Sequence, residues 1–278
     1  MLYRMLSPMV HTTMPHTRRG FTLVEMALVL IIVGLVLGGV VIGRDMIKAA
    51  MIRKQITQFE QFSVAATTFR VKYSAFPGDI AASKATAFGF VSRAGTNGHG
   101  DDDSVIEGCG TYWEVGCEAA MFWRDLSEAH LIKEAFSTAT DTDPTIADDD
   151  DAALYYPKAI LGSNKFILLG LDPSNISWFV LADSLNFDPG TPFYFVQVST
   201  PVMDTYIMDT KMDDGAPYTG RVKGRITTIN GPTYSRMMST DPTAGSNACA
   251  NAATNEYANL TPGALPETSE SCIPAVRR

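Results

Sequence analysis

The 278-residue chain carries 22 Lys and Arg against 30 Asp and Glu, a net charge of −8, and its length allows one or two domains. That balance excludes nucleic-acid binding by bulk electrostatics, which needs a basic face, and favours cationic surfaces or divalent metals as partners. Common enzyme motifs are missing too: there is no Gly-x-Ser-x-Gly elbow, no Gly-rich loop ending in Gly-Lys-Ser/Thr and no His-Glu-x-x-His.

Residues 1–20 contain Arg4, Arg18 and Arg19 and no acid, and an apolar run then extends from Phe21 to Gly43 with Glu25 as its only charge. As a helix at ~1.5 Å per residue this run is roughly 33 Å long, enough for the ~30 Å hydrocarbon core of a bilayer. A helix satisfies its own backbone polar groups there, whereas a carboxylate costs roughly 2.5–3.5 kcal/mol and needs a partner or a task. A secretory signal would have a shorter apolar core and an Ala-x-Ala-like site, and a plain anchor leaves Glu25 unexplained. Arg44, Lys48, Arg53 and Lys54 follow the run, so the positive-inside rule does not orient it.

Gly20-Phe21-Thr22-Leu23-Val24-Glu25, directly after Arg18-Arg19, resembles the N-terminal signature of type IV pilins and of the pseudopilins of type II secretion. The resemblance implies cleavage after Gly20 by a prepilin peptidase on the cytoplasmic side, N-methylation of Phe21, and pairing of Glu25 with the terminal amine of a neighbouring subunit. It implies an inner-membrane protein with a periplasmic head, later built into a pilus or pseudopilus. Its partners would be an inner-membrane assembly platform and other pilin or pseudopilin subunits packed through helix 21–76. The expected division is a leader, 1–20, a long helix, 21–76, with 21–43 in the membrane, and a head, 77–278, ending in a disulfide loop. A minor pilin is the favoured role. A secretion pseudopilin and a tethered binding protein that never polymerises are the alternatives. Loss of the leader would leave 19 basic residues against 30 acidic ones, a net charge of −11, and only His99 and His130, which disfavours histidine-based zinc sites.

Beyond the membrane segment Ile52, Ile56, Phe59, Ala66, Phe69 and Tyr73 continue an apolar stripe at steps of three and four, with Gln55, Gln58, Glu60, Gln61 and Lys72 on other faces. Pro77-Gly78 closes the run, so one helix of about 80 Å is predicted from Phe21 to about Ser74. A polar loop from Arg93 to Gly110 precedes a second helix over Glu118–Phe136, with Arg124, Asp125, Glu128 and Lys133 facing outwards. Ser137–Asp151 reads as an acidic, solvated linker. Strands are predicted at Lys165–Leu171, Ser177–Ala182, Phe193–Val198 and within Thr219–Ile229. Between the last two, a short helix to about Lys211 would take Thr200 as N-cap and Pro201 as first residue. The fold class is α+β, an antiparallel sheet packed on the distal half of the long helix. This lollipop plan is also that of the pilins it resembles.

Two acidic stretches are candidate calcium sites. Asn97, His99, Asp101 and Asp103 alternate and Glu107 closes the segment, as in an oxygen-ligand loop, although His99 is a poor ligand for a hard cation, Asp102 stands where such loops want glycine and Glu107 comes one residue early. Asp209, Asp213 and Asp214 cluster before Gly215, where they could equally form only a turn. The cysteines fall into local pairs, Cys109 with Cys117 and Cys249 with Cys272. Neighbour pairing is favoured in an oxidising compartment, at about 3 kcal/mol for the C-terminal loop.

Overall fold

The computed structural model describes residues 20–96, 98–107, 117–141, 149–162, 164–171, 175–187, 194–197, 200–225, 249–251, 255–257 and 271–278. It divides into two compact units, Met1–Lys48 and Ala49–Arg278. The division falls within helix α1, Leu23–Tyr73, the one helix among the described residues long and apolar enough to cross a membrane. In the first unit its apolar side chains lie open, Leu23 at 90 % exposure and Leu35 at 77 %.

In the second unit the same helix is amphipathic. Ile52, Gln55, Phe59, Phe62, Ala66 and Phe69 recur at steps of three and four and are buried, while Val64 and Val71 face outwards. Contrary to expectation, Gln55 and Gln58 belong to the buried face. Gln55 Oε1 accepts from the backbone N–H groups of Ile160 and Leu161 at 2.8 and 3.0 Å, and Gln58 Nε2 donates to the Lys158 carbonyl at 3.0 Å. A buried amide with every bond made costs little, and here it fixes the 158–161 segment against the helix.

Three further helices precede the sheet: α2, Ala82–Phe88; α3, Cys117–Glu128; and α4, Asp149–Ala152. Helix α2 was not anticipated, being one short segment without a polar N-cap (Ala81 holds that place). Helix α3 ends well before the expected Phe136. His130 turns left-handed (φ 57°), and the N–H groups of His130 and Leu131 bond the carbonyls of Ser127 and Leu126, both at 2.9 Å. That pair of reversed bonds is a Schellman stop, and it returns Leu131 to the core. Nor does Asp125 face solvent: it is fully buried.

Among the described residues six strands form an antiparallel sheet: β1, Lys165–Leu171; β2, Ser177–Phe187; β3, Tyr194–Gln197; β4, Thr200–Pro201; β5, Val222–Arg225; and β8, Ser271–Arg277. The order is β1-β2-β8-β4, with β3 also on β2 and β5 also on β8. Two short strands, β6 (Ala250–Asn251) and β7 (Glu256–Tyr257), pair separately. Strand β1 coincides with its predicted bounds and β2 runs past them, while residues 193, 198 and 226–229 of the other two expected strands lie outside the described residues. The largest correction is β8. The Cys249–Cys272 bridge expected of the C-terminal loop is present, but the sequence predicts no strand there, and Ser271–Arg277 pairs with β2, β4 and β5.

Helix α5, Val202–Met212, starts later than predicted. Thr200 pairs with Cys272 in the sheet, so its backbone is committed to β4; Pro201 takes the N-cap position and the Thr200 hydroxyl is buried without a hydrogen bond. The core sits where α1, α3 and the sheet meet. Phe179 of β2 lies 6.3 Å from both Phe59 and Phe62, 6.0 Å from Phe122 and 5.8 Å from Trp123. Rings at these spacings add about 0.5–1.5 kcal/mol per pair to the transfer free energy of burial.

Candidate functional site

The start of α1 is built by two side chains. Thr22 precedes the first helical residue and its carbonyl accepts from Met26 N–H at 3.2 Å, which makes Thr22 the N-cap. Its hydroxyl oxygen accepts from the Glu25 N–H at 3.3 Å, and Glu25 Oε2 accepts from the Thr22 N–H at 2.8 Å. Two donors left over at the helix end are thus satisfied reciprocally, as a capping box. The Thr22 hydroxyl also donates to the same Oε2 at 2.9 Å.

Glu25 therefore folds back towards Gly20 and Phe21 instead of extending along the rod. Gly20 and Phe21 are both exposed, Phe21 to 78 %, and a side chain added at Gly20 would meet nothing within 4 Å. The sequence signal for Thr22 is Thr-x-x-Glu before an apolar run, a capping pattern that the processing motif overlies.

In the head, the structure regroups the acidic loop. Asn97 lies outside the described residues, and Asp101 is brought to Asp79 and Glu118, with one oxygen from each of the three within 4.8 Å of the others. Asp79 is wholly buried and accepts from the N–H groups of Asp102 and Ser104 at 2.7 and 2.8 Å. Glu118, also buried, accepts from Gly100 at 2.6 Å and from Glu107 at 2.8 Å. Asp103 turns to the N–H of Val105 at 2.7 Å, and one Glu107 oxygen is buried without a partner. Asp102 adopts φ 68°, the left-handed geometry that a glycine would take there.

The segment 98–107 is thus folded around two buried carboxyls. Alongside, Asp125 pairs with the buried Arg93 and accepts from Gly78 N–H at 2.6 Å. Gly78 is required there, since its φ is +89° and a Cβ would overlap the Glu118 carbonyl oxygen.

Burial pushes the Asp79 carboxyl up to about 7 and Glu118 to about 8, against the pull of their backbone donors and with added repulsion from neighbouring acids. Asp125 is raised by burial in spite of Arg93. The all-oxygen set suits a hard cation of the calcium type; the same charge is relieved by protons.

At the end of α5, Asp209, Asp213 and Asp214 do come together. Asp209 accepts from Tyr257 hydroxyl at 2.8 Å and Gly215 N–H at 3.1 Å, Asp213 from Arg221 N–H, and Asp214 from Ala216 N–H and the Thr219 hydroxyl at 3.0 and 2.7 Å. Gly215 is left-handed, φ 74°. Every one of these carboxyls is used in the turn into β5. Burial raises Asp209 to about 6, and burial together with Asp209 raises the Tyr257 hydroxyl.

Cys249 and Cys272 form a disulfide with Cα atoms 5.2 Å apart. Cys117 is also disulfide-bonded, and Cys109, its expected partner, lies outside the described residues. His99 Nδ1 stands 3.1 Å from an Asp141 oxygen and 3.7 Å from Cys117 Sγ, a sulfur that the disulfide withholds from a metal.

Among known proteins, a family model described as the prokaryotic N-terminal methylation motif matches residues 15–41. No curated protein and no solved structure matches the chain.

Proposed function

Because residues 15–41 carry the methylation motif that marks type IV pilins and pseudopilins, we propose that this chain is a structural subunit of such a filament, in the role of a minor pilin. A prepilin peptidase removes 1–20 and methylates Phe21. Residues 21–43 hold the subunit in the inner membrane until helix packing draws it into the fibre, and Glu25 accepts the Phe21 amine of an adjacent copy. Catalysis has no part in this role.

The observation that carries the proposal is the helix start. The matched processing motif, residues 15–41, contains an exposed Gly20–Phe21 bond, and a carboxylate one turn further on points back to where the new amine arises. Either charge alone in lipid is strongly unfavourable, and the pair relieves both, which makes register between subunits specific. Residues 77–278 make a head larger than a main repeating subunit needs, which supports the minor role over the major one.

Mass spectrometry of the mature polypeptide tests the proposal. It should begin at an N-methylated Phe21, and an intact leader would overturn it. Glu25→Ala protein should insert normally and fail to enter fibres. Immunoblots of sheared surface fractions against periplasm then separate a pilus from a secretion pseudopilus, with the chain expected in the sheared fraction.

A further inference from the structure

Glu25 has two carboxylate oxygens, and Thr22 makes them unequal. Oε2 accepts both the backbone N–H and the hydroxyl of Thr22, at 2.8 and 2.9 Å, and the hydroxyl oxygen in turn accepts the Glu25 N–H. We infer that Thr22 is a positioning residue for assembly: it locks the Glu25 side chain against its own helix start through Oε2 and presents Oε1 to the amine of the incoming copy. The inference deepens the proposed pairing of Glu25 between subunits and rests on it.

Three physical consequences follow from the geometry. First, the bonds from Thr22 are charge-assisted and lie in a segment that lipid surrounds, where a free carboxylate is costly; the subunit can therefore wait in the membrane with its charge half satisfied. Second, the capping box survives processing, because the Thr22 N–H belongs to the peptide bond with Phe21, one bond beyond the scissile Gly20–Phe21 link. Third, a glutamate in an apolar helix has several staggered arrangements, and two bonds to one oxygen select the one directed at the N-terminus. Without the hydroxyl, the side chain keeps a single backbone bond and its aim is lost for part of the time.

The test uses the full chain in its own membrane, with a zero-length carbodiimide that joins a carboxylate to an amine in contact. The yield of the cross-linked peptide between Phe21 of one copy and Glu25 of another is read by mass spectrometry. Thr22→Val removes the hydroxyl at constant shape. Thr22→Gly removes it too but remains an adequate N-cap, at a cost of only a few tenths of a kcal/mol. Thr22→Ser restores it. Losing one hydrogen bond to a charged group predicts a yield about tenfold lower in Thr22→Val and Thr22→Gly, with Thr22→Ser at the parental level.

A mere helix-capping role would leave Thr22→Gly near the parent, and that result overturns the inference. So does full cross-linking in Thr22→Val, failure of Thr22→Ser, or loss of leader cleavage confined to the variants without a hydroxyl. Failure of the underlying pairing looks different: the unsubstituted chain itself would give no Phe21–Glu25 link, or Glu25→Gln would enter fibres unimpaired.

Discussion

Two stretches of α1 share one backbone geometry and meet opposite surroundings. Leu35 is 77 % exposed; Phe59, on the same helix, has no exposed surface. From Leu23 to Ile42 the helix offers apolar side chains on all sides, whereas from Ile52 to Phe69 it offers one apolar face into which Gln55 and Gln58 are also admitted. Burial is therefore not a property of apolar character alone. The distal stretch has aromatic partners from α3 and β2, whereas in the proximal stretch Thr22 and Glu25 bond each other. Apolar surface left open on this scale marks an interaction surface, and its length suits lipid or like helices.

The contrast can be broken most forcefully at the ring cluster. Phe179→Ala should cost the head about 3–5 kcal/mol of stability, while Leu35→Ala should change it by less than about 0.5 kcal/mol. Denaturant unfolding of the full chain in detergent measures both. Equal losses would show that the proximal helix contributes to the folding of the head. A somewhat smaller effect is expected from Cys249→Ser. Opening the bridge frees a loop of sequence separation 23 and should cost about 3 kcal/mol. It should loosen β8 first, because Cys272 pairs with Thr200 beside it.

The smallest effect concerns pH and sharpens the difference in how the two units carry charge. In the folded head Asp79 and Glu118 titrate near 7 and 8, above their ordinary values of 3.8 and 4.5. Between those limits the native head holds protons that the unfolded chain has released. Its stability is therefore complete below the ordinary carboxylate range and is lost as the pH rises through 7 and 8. The head should melt several degrees higher at pH 5 than at pH 8.5, at ~2–4 °C per kcal/mol for a chain of this size. Glu118→Gln, which keeps the shape and removes the charge, should flatten that slope in a thermal melt.

How much of this was legible beforehand differs by element. Strand β1 could be read from Lys165–Leu171 alone, since a short apolar run bounded by breakers is a local property. Strand β8 could not. Ser271–Arg277 contains Pro274 and ends on Arg277, and its partners Val222–Arg225 and Trp178–Val180 lie far back in the chain. The acidic loop was legible as a set of oxygen donors, but not in its grouping. Asp79 and Glu118 lie outside the alternating stretch, and only folding puts them beside Asp101.

By itself the sequence determined the apolar rod, the processing motif that precedes it, the carboxylate one turn inside and the α+β class, because run length, spacing and periodicity act over a few residues. Only the tertiary structure decided which polar groups go inside. Gln55 is buried because Ile160, 105 positions away, supplies a donor, and Asp125 because Arg93 and Gly78 reach it from 32 and 47 positions away. A buried polar group is tolerated only where partners complete its bonds, and those partners are assembled by the fold, not by the neighbouring sequence.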